Sequence, residues 1–316
     1  RIRIGHIKTQ INPSYKYLSI ILILFYTFIT VLVSDSIFRK LIIKFYISPF
    51  MNANLIMILI SFGVLFGIIG TIAGIGGGAL HMSLMVLLLA IPINEARDTS
   101  SFIIVLFTGI AFINYFRQGK INIKLTLIFA GFAILGGISA TILFILIPID
   151  NTVLKIIIAS VVLTSGINMI RKAIISTRVE RSNNITQEIF SFENFEHKTN
   201  LPKAIPLFFV AGFVAYLSGI GGGMLFVPIL TIVFEIPIHF STALSTSMIF
   251  FIGIYNAGVR MVIGEIHYLI GLLIAIGAII GSLFGAKLSN KIHKHNLQFI
   301  VALVLIGLAI RMYFII

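Results

Sequence analysis

Long apolar runs dominate the chain, and they form two series with the same rhythm. After a separate run at residues 15–33, five runs precede a polar stretch and five more follow it. Most approach the roughly 20 residues that a helix needs to cross a bilayer, but the second run of each series is shorter. The pattern predicts an all-α polytopic membrane protein. The two series are 55–73, 79–91, 100–116, 125–147 and 153–170, and then 204–218, 224–234, 244–263, 268–288 and 297–315.

A run of glycines interrupts each series at the same place. The letters GIGGG occupy residues 74–78 and again residues 219–223, which are 145 positions further on. Residues 60–170 can be laid on residues 205–315 at this offset without a gap. Broken helices at matching places in two halves are typical of transporters built from repeats, and they mark the binding site. The identities that coincide include Gly67 with Gly212, Ile91-Pro92 with Ile236-Pro237, Ser100 with Ser245, Gly119 with Gly264, and Gly136 with Gly281.

The basic residues predict how the halves are oriented. The linker at 171–203 and the loop at 117–124 are rich in Lys and Arg, so both are expected on the cytoplasmic side, whereas the turn at 148–151 has no basic residue. In the second half, lysines stand where the first half has that turn. This exchange predicts inverted repeats with broken or short helices at the GIGGG turns. The predicted divisions are an N-terminal extension at 1–50 with one transmembrane helix and an amphipathic basic stretch, repeats at 55–170 and 204–316, and the linker at 171–203.

Composition narrows the function further. Of the residues 59% are hydrophobic and 10% charged, and the net charge of +13 lies in short connections between apolar runs. These charges are expected to contact lipid headgroups and not nucleic acid. There is no cysteine, no HExxH, no paired aspartates in an apolar run and no GxxxxGK[ST]. We therefore expect neither an enzyme nor a cofactor, a metal site or a site for ATP.

The doubled GxGGG run, each copy followed by a short helix, a proline-bearing loop, a Thr/Ser pair and an Asn-bearing helix, resembles the sulfite exporter TauE/SafE family of anion permeases. The resemblance covers residues 55–315 and is closest at 219–228, GIGGGMLFVP, whereas the first copy has His81, Met82 and Ser83 in place of Phe-Val-Pro. It places residues 1–50 outside the family core. The resemblance implies a multi-pass permease in the plasma membrane that moves small sulfur-containing or organic anions, such as sulfite or sulfonates.

The glycine turns suggest how an anion could be held. The start of a helix leaves N–H groups unpaired and carries a partial positive charge, and glycine lets an oxyanion approach the backbone. Tight helix crossing is the alternative role of these glycines. Inverted repeats would bring both turns together near the membrane midplane. The predicted substrate site comprises Gly74, Gly76, Gly77, Gly78, Ala79, Gly219, Gly221, Gly222, Gly223, Met224, Ser100, Ser101, Ser245, Thr246, Asn114 and Asn256.

The other polar residues leave alternatives open. The hydroxyl residues are expected to begin their helices, where they could cap the helix or donate to an anion. Arg97 and Arg260 border apolar runs and either attract anions or extend to the membrane surface, and no Lys or Arg is expected beside a glycine turn. All acidic residues are expected in loops or near helix ends. His81 is a candidate for coupling to a proton, sodium being the other possible coupling ion, or a structural donor. Another small-anion carrier, or a channel, is the alternative function.

Overall fold

The computed structural model describes residues 53–147 and 201–288, together with separate residues within 152–171 and 299–313. Over these residues the protein is helical and has no strand. The segment at 1–50 and most of the linker at 171–203 lie outside the described residues. So do many positions of the last run in each series, whose described residues are helical.

Eight helices are defined in the two continuous ranges. The short helices α2 and α6 each follow a glycine turn, as the sequence predicts, and a π-helical turn at Ile229–Val233 continues α6. Among the described helices, α1, α3, α4, α7 and α8 are long and apolar enough to cross a membrane. The helices are α1 (Ala53–Ala73), α2 (Gly78–Leu87), α3 (Ile93–Arg117), α4 (Ile123–Leu146), α5 (Leu201–Ser218), α6 (Gly223–Pro228), α7 (Ile238–Ile263) and α8 (Tyr268–Leu288).

Helices α3 and α7 begin earlier than the apolar runs at 100 and 244 predict. Pro92 and Pro237 precede them with φ angles of −53° and −54°. Proline fixes φ near the helical value and has no N–H to satisfy, so it suits the start of a helix. The residues two positions before each proline, Ala90 and Glu235, have positive φ angles of 52° and 54°. The polar stretch after Pro92 forms the first two turns of α3, where Arg97, Asp98 and Thr99 are buried in protein.

Helices α1 and α8 pack backbone against backbone. An ideal Cβ on Gly67 would lie 2.3 Å from the carbonyl oxygen of Ala278, and one on Gly281 would lie 2.1 Å from that of Val64. A Cβ on Gly277 would lie 2.1 Å from the carbonyl oxygen of Ile60. From Ile60 to Val64 on α1 the partner on α8 changes from Gly277 to Gly281, so the two helices run parallel. Small residues permit this close approach in membrane proteins.

The same contact occurs between α4 and α5. A Cβ on Gly136 would lie 1.9 Å from the carbonyl oxygen of Phe209, and one on Gly212 would lie 1.9 Å from that of Ala133. These pairs correspond, at the offset of 145, to the two α1–α8 pairs that involve Gly281 and Gly67. The first helix of each half therefore packs on the fourth helix of the other half.

The equivalent helices α3 and α7 run antiparallel. Near the middle of both helices, an ideal Cβ on Gly253 would lie 3.4 Å from Val105. An ideal Cβ on Gly264, just after the end of α7, would lie 2.5 Å from Asp98, which is near the start of α3. Two copies of one helix that cross in this way are related by an axis perpendicular to them. This is the arrangement an inverted repeat needs if both helices span a membrane. The orientation of the halves relative to a bilayer stays a prediction.

Candidate functional site

The two glycine turns have the same backbone conformation. In each, the first, third and fourth residues adopt positive φ angles, and the fourth is the N-cap of the short helix that follows. Residues with a Cβ adopt this left-handed region at a cost of roughly 1–2 kcal/mol each, so both turns require glycine. The angles are 70°, 74° and 61° at Gly74, Gly76 and Gly77, and 66°, 87° and 78° at Gly219, Gly221 and Gly222.

The two turns lie against each other. An ideal Cβ on Gly78 would lie 2.6 Å from the carbonyl oxygen of Ile220, and one on Gly223 would lie 2.6 Å from that of Gly74. The side chains of Ile104 and Ile249, close to the midpoints of α3 and α7, pack on the turns from either side. The turns therefore meet near the midpoints of α3 and α7, and a position at the centre of a membrane stays a prediction.

The predicted hydroxyl residues lie within α3 and α7 and not at their starts. Ser100 donates to the carbonyl oxygens of Gly78, at 3.1 Å, and Gly219, at 3.3 Å. The equivalent Ser245 donates to the carbonyl oxygen of Gly74 at 2.8 Å. These reciprocal bonds tie each half's long helix to the other half's glycine turn.

Two further hydroxyls are bound within their own helices. Ser101 donates to the carbonyl oxygen of Arg97, and Thr246 donates to that of Thr242. Each hydroxyl has a single proton. All four predicted hydroxyls therefore donate to backbone carbonyl oxygens, which is a structural role. Their role as anion ligands stays a prediction.

The two predicted asparagines lie apart from the glycine turns in sequence position and packing. Asn256 is buried on α7 against α4, where a Cβ on Gly137 would be 3.6 Å from its Oδ1. Asn114 lies partly buried near the end of α3. In the described residues, Oδ1 of Asn256 and Nδ2 of Asn114 have no hydrogen-bond partner. Asn256 is four residues before Arg260, so both side chains project from the same face of α7.

His81 lies in the first turn of α2, enclosed by aromatic rings. Its ring centroid is 5.6 Å from that of Phe66 and 5.6 Å from that of Phe107. It is fully buried, and neither ring nitrogen has a partner among the described residues. It is therefore not the satisfied structural donor that the sequence left as an alternative. The equivalent position in the second half is Phe226, which packs on Gly222 in the same way.

A buried group of charges lies beside the second glycine turn. We call Arg97, Asp98 and Arg260 the arginine cluster, and their exposed fractions are 4%, 3% and 1%. One oxygen of Asp98 accepts hydrogen bonds from Nε of Arg97, at 3.1 Å, and from Nη1 of Arg260. The stem of Arg97 packs on Gly219, since a Cβ there would be 2.4 Å from its Cγ. Arg260 also donates to the carbonyl oxygen of Tyr216.

The arginine cluster corrects two expectations from the sequence. Arg97 and Arg260 do not extend to a membrane surface, because both are buried in protein. Asp98 lies in the second turn of α3, near a helix end as expected. A glycine turn does have a cation beside it. The cluster has two guanidinium groups and one carboxylate, so it carries an excess of one positive charge.

At the positions equivalent to the arginine cluster, the chain carries neutral residues. At the offset of 145, Tyr115 corresponds to Arg260, and its hydroxyl donates to the carbonyl oxygen of Thr71 at 3.1 Å. Thr71 corresponds to Tyr216, so the two hydrogen bonds are equivalent. Arg97 corresponds to Thr242. Lys120 lies in the loop after α3, and its ammonium is 5.8 Å from the ring centroid of Tyr115. Burial lowers the pKa of Lys120.

Comparison with known proteins agrees with this architecture. The family model described as sulfite exporter TauE/SafE matches residues 59–312, and it also matches residues 7–169. The chain belongs to this family. The match at residues 59–312 includes both glycine turns.

Relatives of the TauE/SafE chain carry the names of membrane transporters. It is 24% identical over 266 residues to the probable membrane transporter protein YunE of Bacillus subtilis (strain 168), covering 79% of this chain and 94% of that protein. It is 25% identical over 246 residues to the probable membrane transporter protein YdhB of the same organism, covering 76% and 91%. It is 25% identical over 275 residues to the probable membrane transporter protein MJ0441 of Methanocaldococcus jannaschii, covering 79% and 92%. No solved structure matches the chain. The protein is a multi-pass membrane transporter.

At one end of the site, the loop between α7 and α8 contacts α3. Glu95 pairs with the ring of His267, whose backbone N–H donates to Thr99 Oγ1 at 3.0 Å. The backbone N–H of Glu265 donates to the second oxygen of Asp98 at 3.2 Å. Within the described ranges, no group of three His, Cys, Asp or Glu side chains could hold a metal ion.

Proposed function

We propose that this TauE/SafE protein is a secondary transporter for a small anion, such as sulfite or a small sulfonate, and that it works in the plasma membrane. The observation that carries the proposal is the excess positive charge of the arginine cluster, buried against the second glycine turn. The alternative is another small-anion carrier, or a channel, with an unrelated substrate.

The depth of this charge supports the proposal. Arg97 lies eight residues before the midpoint of α3, which is about 12 Å along the helix axis. The hydrocarbon core of a bilayer extends about 15 Å from its midplane, so a spanning α3 would place the cluster inside it. A charge at that depth is costly, and such charges in membrane proteins mark the paths of substrates and ions. An anion would neutralise this one.

The glycine turns also support the proposal. They are backbone breaks where two halves meet, held by the reciprocal bonds of Ser100 and Ser245. The starts of α2 and α6 add partial positive charge there. Movement of the halves against each other at such a crossing would alternate access to a site between them.

Counterflow in proteoliposomes tests the proposal. The full chain is reconstituted, the vesicles are loaded with unlabelled sulfite, and radiolabelled sulfite is added outside. A carrier accumulates the label transiently above its outside concentration, whereas a channel only equilibrates it. A preference for a cation or a neutral sugar of similar size would overturn the proposal.

A pair of glycine variants ties transport to the turns. Gly77→Ala places a Cβ on a residue with φ of 61°, so we expect counterflow to be lost. Gly258→Ala is the matched control, because a Cβ there meets nothing within 4 Å. If the two variants showed equal counterflow, the glycine turns would have a role in helix packing only.

A further inference from the structure

We propose that the Nη1 edge of Arg97 binds the oxyanion group of the substrate, and that the arginine cluster selects anions that carry a single negative charge. The inference rests on the proposed function, since it names the substrate class of the same site. It covers sulfonates, hydrogen sulfite and small carboxylates, and it disfavours sulfate and thiosulfate.

The hydrogen bonds of Arg97 leave the Nη1 nitrogen of its guanidinium without an acceptor among the described residues. Nε donates to Asp98, and the group lies 4.4 Å from the ring centroid of Phe144, near the end of α4. Nη1 is buried and has no partner in the described part of the chain. A buried donor without an acceptor is costly, and a guanidinium edge matches the geometry of an oxyanion. A substrate oxygen would satisfy it.

Arg260 does not offer an equivalent edge. One of its terminal nitrogens donates to Asp98 and the other to the carbonyl oxygen of Tyr216, and the guanidinium lies 4.6 Å from the Tyr216 ring centroid. Only its Nε is without a partner among the described residues. Arg260 therefore holds Asp98 and the end of α5 in place, which in turn positions Arg97.

The charge of the cluster sets the charge of the ligand. Asp98 accepts from both arginines through Oδ1 and from the backbone N–H of Glu265 through Oδ2, so it neutralises one guanidinium and stays in place. One positive charge remains. A monoanion would leave the buried site neutral, whereas a dianion would leave a negative charge without a partner, and burying such a charge is strongly unfavourable.

The first glycine turn has no equivalent charged cluster beside it. Thr242, Ala243 and Tyr115 stand at the positions of Arg97, Asp98 and Arg260. None of the three carries a charge at neutral pH. The substrate's charged group is thus assigned to one side of the crossing only.

Methanesulfonate and sulfate form the test pair, because both present oxygens on a tetrahedral sulfur and they differ by one charge. We would measure how each inhibits counterflow of labelled sulfite by the wild-type protein, and how each shifts its unfolding temperature in detergent. Methanesulfonate should inhibit counterflow at a concentration about tenfold or more below that of sulfate. This ratio corresponds to the free energy of about one charge-assisted hydrogen bond. Equal or stronger inhibition by sulfate would overturn the inference. This test uses only the wild-type protein, so its result does not depend on whether a variant folds.

Variants then assign the effect to Arg97. Arg97→Gln should weaken methanesulfonate by about tenfold or more, while Lys120→Gln, which removes a cation near Tyr115, should leave it unchanged. Asp98→Asn raises the charge of the cluster and should shift the preference toward sulfate, an effect that a merely structural role of the cluster would not produce. Unchanged methanesulfonate inhibition in Arg97→Gln would overturn the inference while transport of small anions stood. Absence of any small-anion counterflow in the wild type would instead overturn the proposed function.

Discussion

Two glycines on α4, five residues apart, should respond to alanine with opposite signs. A Cβ on Gly136 would lie 1.9 Å from the carbonyl oxygen of Phe209, whereas a Cβ on Gly131 meets nothing within 4 Å. Ordinary van der Waals contact begins near 3.4 Å, so α4 and α5 would have to separate by about 1.5 Å to accept Gly136→Ala. Overpacking of this kind costs about 1–3 kcal/mol of folding stability. Gly131→Ala should be neutral or stabilising by up to about 1 kcal/mol, since alanine is the better helix former.

The duplication extends this prediction to the second half. Gly281→Ala places a Cβ 2.1 Å from the carbonyl oxygen of Val64, so it should destabilise the protein about as much as Gly136→Ala. The chain contains no tryptophan, so unfolding is followed through a fused fluorescent protein, by size-exclusion chromatography after heating in detergent. We expect both variants to aggregate at temperatures several degrees below the wild type. If Gly136→Ala were as stable as Gly131→Ala, the close packing of α4 on α5 would be refuted.

Two further predictions concern orientation and coupling. The 316 residues contain no cysteine, so single cysteines can be introduced directly: Glu265→Cys should react with an impermeant maleimide in intact cells, and Gln118→Cys only after permeabilisation. Labelling of both from the same side would contradict inverted repeats. His81→Phe installs the residue found at position 226, so counterflow should persist while accumulation driven by a pH gradient is lost, and retained accumulation would exclude His81 as the coupling group.

The sequence predicted the helices and the glycine turns well because both depend on local chemistry. Apolar runs report burial in lipid or protein, and the repeated GIGGG marks backbone that residues with a Cβ adopt at a cost. The offset of 145 also predicted that Gly67 corresponds to Gly212 and Gly136 to Gly281. It could not predict that these glycines would join one half to the other, because identity between two copies says nothing about which helix packs on which.

The arginine cluster could not be recognised from hydropathy. The stretch around Arg97 and Asp98 has a low mean hydropathy, so the apolar pattern predicts a connection there and a helix that begins at Ser100. In the structure the same residues are helical from Ile93, and Asp98 pairs both with Arg97 of the same helix and with Arg260 of α7. Only the three-dimensional fold brings Arg260, 162 residues away along the chain, to Asp98. The sequence signal was the presence of two arginines at the ends of equivalent helices, without their pairing.

Identity and difference between the two halves have separate roles. The positions that match, the glycines and the pair Ser100 and Ser245, form the crossing and hold it symmetrically. The positions that differ carry the charge and the titratable group: Arg97 against Thr242, Arg260 against Tyr115, and His81 against Phe226. Because the two halves have the same backbone, a substrate placed between them would meet equal surroundings on both sides if the side chains were also equal. The differing residues make the surroundings unequal, so the charged end of an anion would be held beside the second glycine turn, where residues of both halves form the arginine cluster, and not beside the first.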